Sequence, residues 1–146
     1  MPLKKTALRK IILFLGLALS YHLDAQQNPI DSVITIFDQL SEDERANFLI
    51  NIKYDDLVAN TGRFIPLLEK QVNLFKTGQN ILTQAQILEQ LSLAYYIAGK
   101  YDKNFEAGFQ ALSIYDSLKI PEKSGKMYGE LGYRTKRFDL HKAFSF

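Results

Sequence analysis

Cysteine is absent from this chain, and with it any disulfide framework, thiol nucleophile or thiolate metal ligand. Tryptophan is also absent, and only two histidines occur, His22 and His141. One histidine beyond the first 25 residues cannot assemble a His-type metal centre. The four prolines are Pro2, Pro29, Pro66 and Pro121, and none is expected deep inside a helix. Hairpin dipeptides and sustained polar–apolar alternation are missing, which argues against strands. No glycine-rich phosphate loop occurs. Gly125-Lys126 lacks both the preceding glycine and the following Ser or Thr. The acidic doublet Asp55-Asp56 would sit on one helix as adjacent residues, which do not face each other, so a catalytic carboxylate pair is not expected there. No enzyme chemistry, cofactor or metal is therefore expected.

Long apolar runs are equally scarce. The longest is Ile11–Leu19, too short to cross a bilayer, which takes about 20 residues. Lys4, Lys5, Arg9 and Lys10 precede it, and small residues suited to cleavage follow at Ala18-Leu19-Ser20 and at Ala25. Residues 1–25 therefore look like a secretory signal peptide, with an uncleaved anchor as the rival reading. The expected location is the periplasm or cell envelope. Four of the 18 basic and one of the 16 acidic residues fall in this leader, so the +2 formal charge becomes −1 without it. Nothing in that balance suggests nucleic acid. Contact with a membrane would run only through the leader or a downstream segment.

The remaining ~120 residues suffice for one domain with a modest core. They read as about seven helices. The first covers Ile30–Leu40. The second starts at Ser41, where Ser41-x-x-Glu44 is a capping box, and runs to Asn60 or Gly62. The third covers Ile65–Lys76, the fourth runs from a Thr83-x-x-Gln86 cap to Gly99, and the fifth covers Asp102–Leu118. The sixth runs from Glu122 or Ser124 to about Lys136, and a seventh starts near Asp139. Ile87, Leu91, Ala94, Tyr95 and Ala98 form one apolar face of the fourth. The fifth carries two stripes, Phe105/Phe109/Leu112 and Ala107/Ala111/Ile114/Leu118, and so needs cover on two sides. A solenoid supplies that cover from the partner helix and the next repeat, and a four-helix bundle is the alternative.

Residues 88–112 carry a repeat signature. With Leu88 at position four, Leu91 falls at seven, Tyr95 at eleven, Gly99 at fifteen, Tyr101 at seventeen, and Ala111-Leu112 at twenty-seven and twenty-eight. This resembles a tetratricopeptide repeat (TPR), a helix–turn–helix unit with a period of 34. Three positions depart from the pattern. Ser92 replaces a glycine, Asn104 a small alanine that would let the two helices cross closely, and Gly108 an aromatic. Tyr128, Leu131-Gly132 and Ala143 resemble positions four, seven, eight and twenty of a second unit, one residue short. Gly62-Arg63-Phe64 echoes Gly99-Lys100-Tyr101, with one ordinary amphipathic helix as the alternative. The regions are then a leader (1–25), an N-terminal helical region with a possible degenerate repeat (26–80), and repeats at 81–120 and 121–146. Three or so units and a polar cap make a stable array, so the apolar final segment through Phe144 and Phe146 suggests a fragment.

The opening DSVITIFDQLSEDERANFLINIKYDDL is similar to the start of exported sensor regions in Bacteroidetes-type TPR signalling proteins, which end in histidine-kinase or helix-turn-helix modules. The resemblance implies an all-α scaffold that binds a peptide or protein as the sensory front of a signalling protein. An envelope assembly or export factor holding a client is the alternative. In the family, positions two, five, nine and twelve of the first helix line the concave groove. They correspond here to Gln86, Glu89, Leu93 and Tyr96, and in the second unit to Lys126, Gly129, Tyr133 and Lys136. Tyr95 and Tyr101 match structural positions, whereas Tyr96 and Tyr133 suit peptide contact, with an apolar body and a polar tip. The basic run Lys119, Lys123, Lys126, Arg134, Lys136, Arg137 and Lys142 is expected on a solvated face. An anion or acidic-peptide groove is the functional alternative.

Overall fold

The computed structural model describes residues 34–35, 37–75 and 80–143, with side chains described as far as Asp139. The leader read over residues 1–25 lies outside the described residues. The chain divides into two units, Met1–Leu40 and Ser41–Phe146. Of the helix expected over Ile30–Leu40, residues 30–33 and 36 lie outside the described residues, and 34–35 are helical. Its described end is a single 3-10 turn, Phe37–Gln39, closed by the Leu40 amide donating to the Phe37 carbonyl at 3.2 Å.

The second unit is all-helical in its described residues. Six α-helices follow in order: α1 Glu42–Ile50, α2 Tyr54–Ala59, α3 Thr61–Phe75, α4 Ile81–Ile97, α5 Tyr101–Ser117 and α6 Pro121–Ala143. None of them is long and apolar enough to cross a membrane.

Helix ends follow local chemistry. Ser41 and Glu44 form the expected capping box: the Glu44 amide donates to Ser41 Oγ at 3.3 Å, and the Ser41 amide donates to Glu44 Oε2 at 2.8 Å. The single helix expected from Ser41 to about residue 60 is instead two. Asn51 caps α1, donating from both its backbone N–H and its side-chain amide to Asn47 O, the latter at 2.8 Å. Asparagine competes for the backbone in this way and weakens a continuing helix. The Ile50 carbonyl left at the break accepts from Gln90 Nε2 of α4 at 2.8 Å, so the helix end has a half-buried partner.

α3 begins four residues earlier than expected, which places Pro66 inside the helix and not at its start. Gly62 lies in its first turn and not at a helix stop, so the Gly62-Arg63-Phe64 echo marks the start of one amphipathic helix. α4 is capped by Asn80, whose Oδ1 accepts from the Thr83 amide at 3.2 Å, and not by Thr83 itself. It ends at Gly99, where φ is +71°. There the Lys100 amide reaches Tyr95 O at 2.8 Å and the Gly99 amide reaches Tyr96 O at 3.0 Å. α5 ends in the same way one turn before Pro121, with Lys119 at φ +55° in the glycine place.

The expected sixth and seventh helices are one. α6 runs unbroken through Ala143, so Ala143 does not begin a second helix. No proline lies between Arg134 and Asp139, and Phe138 packs its ring against Tyr101 at 4.9 Å and Phe105 at 6.5 Å, which favours continuation.

Packing follows chain order. α4 packs on α3 and α5, and α6 packs on α5; α4 also packs on α1 and α2. The core runs from Leu49, Leu57, Phe64 and Leu68 through Ile87, Leu88 and Leu91 to Ala111, Leu112 and Tyr115. Leu112, Met127 and Leu131, with Phe105 against them, join α5 to α6.

Candidate binding face on helices α4 and α6

One tie recurs along the helices. The Tyr95 hydroxyl of α4 donates to Glu69 of α3. The Tyr115 hydroxyl of α5 donates to Glu89 of α4 at 2.8 Å. Each tyrosine follows its glutamate by 26 residues, and the second pair sits 20 residues after the first. A buried tyrosine needs a hydrogen-bond partner, and a carboxylate on the preceding helix supplies one in both cases.

Glu89 also reaches forward to α6. Lys126 Nζ donates to its Oε1 at 2.7 Å, and Lys123 Nζ lies 4.0 Å from its Oε2. Its side chain is only 14% exposed. Burial works to raise its pKa, but the hydrogen bonds from Lys126 and Tyr115 outweigh burial and hold it below the usual value. The Glu89 bond raises Lys126 in turn. Glu89 thus joins α4, α5 and α6.

Deeper in the same seam lies Arg134. Only 4% exposed, it donates from Nη1 to Ser92 Oγ at 2.8 Å and to Asn104 Oδ1 at 3.0 Å, and from Nη2 to Glu130 at 2.5 Å. Ser92 Oγ also donates within this group, lying 3.0 Å from both Asn104 oxygens. Burial lowers the Arg134 pKa and Glu130 opposes that shift. Next to Ser92, Gly108 makes room for α6: a Cβ there would stand 2.6 Å from Leu131 Cδ2 and 3.0 Å from both Met127 Cε and Ser92 Oγ. The three departures from the repeat pattern therefore meet at one place. Gly108 admits the apolar side of α6, and Ser92 with Asn104 form a polar socket for Arg134. Asn104 ties α5 to α4 and α6, where the sequence alone pointed to a residue that loosens their crossing.

Above the socket lies an aromatic and cationic surface. The Arg134 guanidinium carbon is 5.5 Å from the Tyr96 ring centroid. The Tyr96 side chain acts on Arg137 and raises its pKa, and the Arg137 guanidinium carbon lies 5.7 Å from the Tyr133 ring centroid. Tyr96 meets Tyr101 edge-on at 6.1 Å, and Tyr101 meets Phe138. Tyr133 is 59% exposed.

The residues read as groove-lining divide accordingly. Glu89 and Lys126 are brought together as an ion pair, and Tyr96 and Tyr133 are brought together through Arg137. Gln86 and Leu93 are half-buried on α4, and Gly129 and Lys136 are exposed on α6. The basic run is not uniformly a solvated face, since Arg134 is buried. Lys142 lies beyond the described side chains. Arg134 and Arg137 were not singled out in the sequence because each is one cation among seven. The clue to Arg134 was the pair of polar residues, Ser92 and Asn104, where small ones were expected. Among the described residues, no group of three or more His, Asp, Glu or Cys is placed to hold a metal ion. Comparison with family models, curated proteins and solved structures gives no match to this chain.

Proposed function

We propose that this chain is an exported scaffold of TPR-like helix pairs, in which α3 to α6 form a short solenoid that holds a peptide or protein partner. In this reading the scaffold is the sensory front of a signalling protein, and the leader-like residues 1–25 deliver it to the periplasm or cell envelope. Support for the array comes from the chain-order packing of α3 to α6 and from the tyrosine–glutamate tie repeated from one helix to the next.

The observation that carries the binding reading is the pairing of an exposed Tyr133 with Arg137 above Tyr96, on a base fixed by buried Arg134. Tyrosine and arginine dominate the energetics of protein recognition, and recognition is sharpest where a buried shell holds the contact residues still. Peptides selected from a random display library on the full chain test it. Related peptides should emerge and lose binding to a Y96A/Y133A variant. Selected binders that are indifferent to both substitutions would refute the reading.

A further inference from the structure

A second groove opens on another side of α4. One cleft of about 320 Å³ lies among α3, α4 and α5, floored by Val72, Leu88, Leu91 and Ala107 and walled by the Tyr95 ring. A neighbouring cleft of about 420 Å³ shares Leu88 and Gln110 with it and ends at Phe109 and Ile114. The two meet at Leu88 and Gln110 and together follow α5 from Lys103 to Ile114. At a rise of 1.5 Å per residue that is about 16 Å, room for about five residues of extended peptide. Val72, Leu88, Leu91 and Ala107 are each no more than 6% exposed, whereas Phe109 is 55% exposed at the far end.

Charge distinguishes the near end. Glu69 on α3 and Glu106 on α5 both act on the Tyr95 hydroxyl: burial first, then Glu69 by hydrogen bond and charge, then Glu106 by charge, push that phenol's pKa up. A cation already occupies the face of that ring, with Lys103 Nζ 5.4 Å from the Tyr95 centroid. Lys103 is exposed and its stem is flexible, so it holds that seat weakly. Ring and carboxylates together favour any cation placed there. An apolar floor with a few convergent polar groups is the usual form of a binding groove.

We infer that this groove binds an extended peptide segment with an aliphatic side chain towards Phe109 and a basic side chain over Tyr95, between Glu69 and Glu106, with Lys103 as the displaceable internal occupant. The site shares no residue with the Tyr96–Tyr133–Arg137 face and stands whether or not that face binds a partner.

The test uses capped pentapeptides with leucine at one end and arginine at the other, in both orders, and counterparts with glutamate in place of arginine. Each is titrated into the isotope-labelled full chain and followed by amide chemical shifts. At least one arginine peptide should move Leu88, Leu91, Tyr95 and Ala107, and the glutamate peptides should not. E106Q should weaken binding about three- to five-fold, the scale of one exposed charge pair. K103A should tighten it about two- to five-fold by vacating the ring. Both residues are exposed, so neither change threatens the fold. Equal binding of the glutamate peptides, no movement at those four amides, or weaker binding by K103A would overturn the proposal.

Discussion

Arg134 donates to the Ser92 hydroxyl at 2.8 Å across 42 residues of sequence, with both side chains buried. A guanidinium so enclosed is stabilising only while its acceptors remain. Removing one partner of a buried charge network costs about 3–5 kcal/mol, whereas replacing the whole set with apolar groups of similar volume is often neutral. R134A should therefore lower stability by about 3 kcal/mol or more, read from urea midpoints. The triple variant S92A/N104A/R134M should recover most of that loss. A single R134A within 0.5 kcal/mol of wild type would show that the socket carries no structural weight.

Two glycines in neighbouring helices should respond in opposite directions. Gly129 on α6 faces open space, so G129A gains helix propensity, up to about 1 kcal/mol. Gly108 on α5 gains the same propensity but drives a methyl group into buried Leu131 and Met127. Overpacking of that kind costs about 1–3 kcal/mol. Thermal melts should show G129A above wild type and G108A below it. Equal gains would mean that α6 does not sit against Gly108 as described.

Acid should loosen the Glu89 tie. Its folded pKa lies below the usual value, so its contribution is present above the unfolded value of about 4.3 and is lost as pH falls through the lower folded value. E89Q should be less stable than wild type at pH 7, and the gap should close below about pH 4, where the protonated acid resembles the amide. Urea midpoints at pH 7, 5, 4 and 3 measure this. A gap that stays constant from pH 7 to pH 3 would contradict it. Glu44, lowered by its Ser41 bonds, shares the acid limb, and E44Q separates its part.

The proposed export makes its own prediction. Expression of the chain in a Gram-negative host should give an envelope protein whose N-terminus follows Ala25 or Ser20, as read by terminal sequencing. A cytoplasmic product that retains Met1 would remove the export reading.

The helical class was legible because the apolar residues of α4 recur at helical spacing and because Ser41, Gly99 and Pro121 mark boundaries by local chemistry. The break at Asn51 was not legible, since asparagine in a polar stretch signals nothing until Gln90, 39 positions later, is found on the freed Ile50 carbonyl. Continuity of α6 was hidden for a similar reason: Phe138 is held by rings of α5, a tertiary contact with no local trace. At the candidate face, Tyr96 and Tyr133 were reachable from position alone. Arg134 was not, because nothing local separates it from the six other cations of the basic run. Ser92, Asn104 and Gly108 were visible as exceptions, but their joint purpose required α6 to be in place.

The most direct measurement of the binding claim is an amide chemical-shift map of the full chain with a display-selected peptide. Perturbed amides should cluster along residues 86–96 of α4 and 126–137 of α6, with Tyr96, Tyr133 and Arg137 among the largest, and Y133A should weaken binding at least ten-fold. A map centred on α1 and α2, or one unchanged by Y133A, would contradict it.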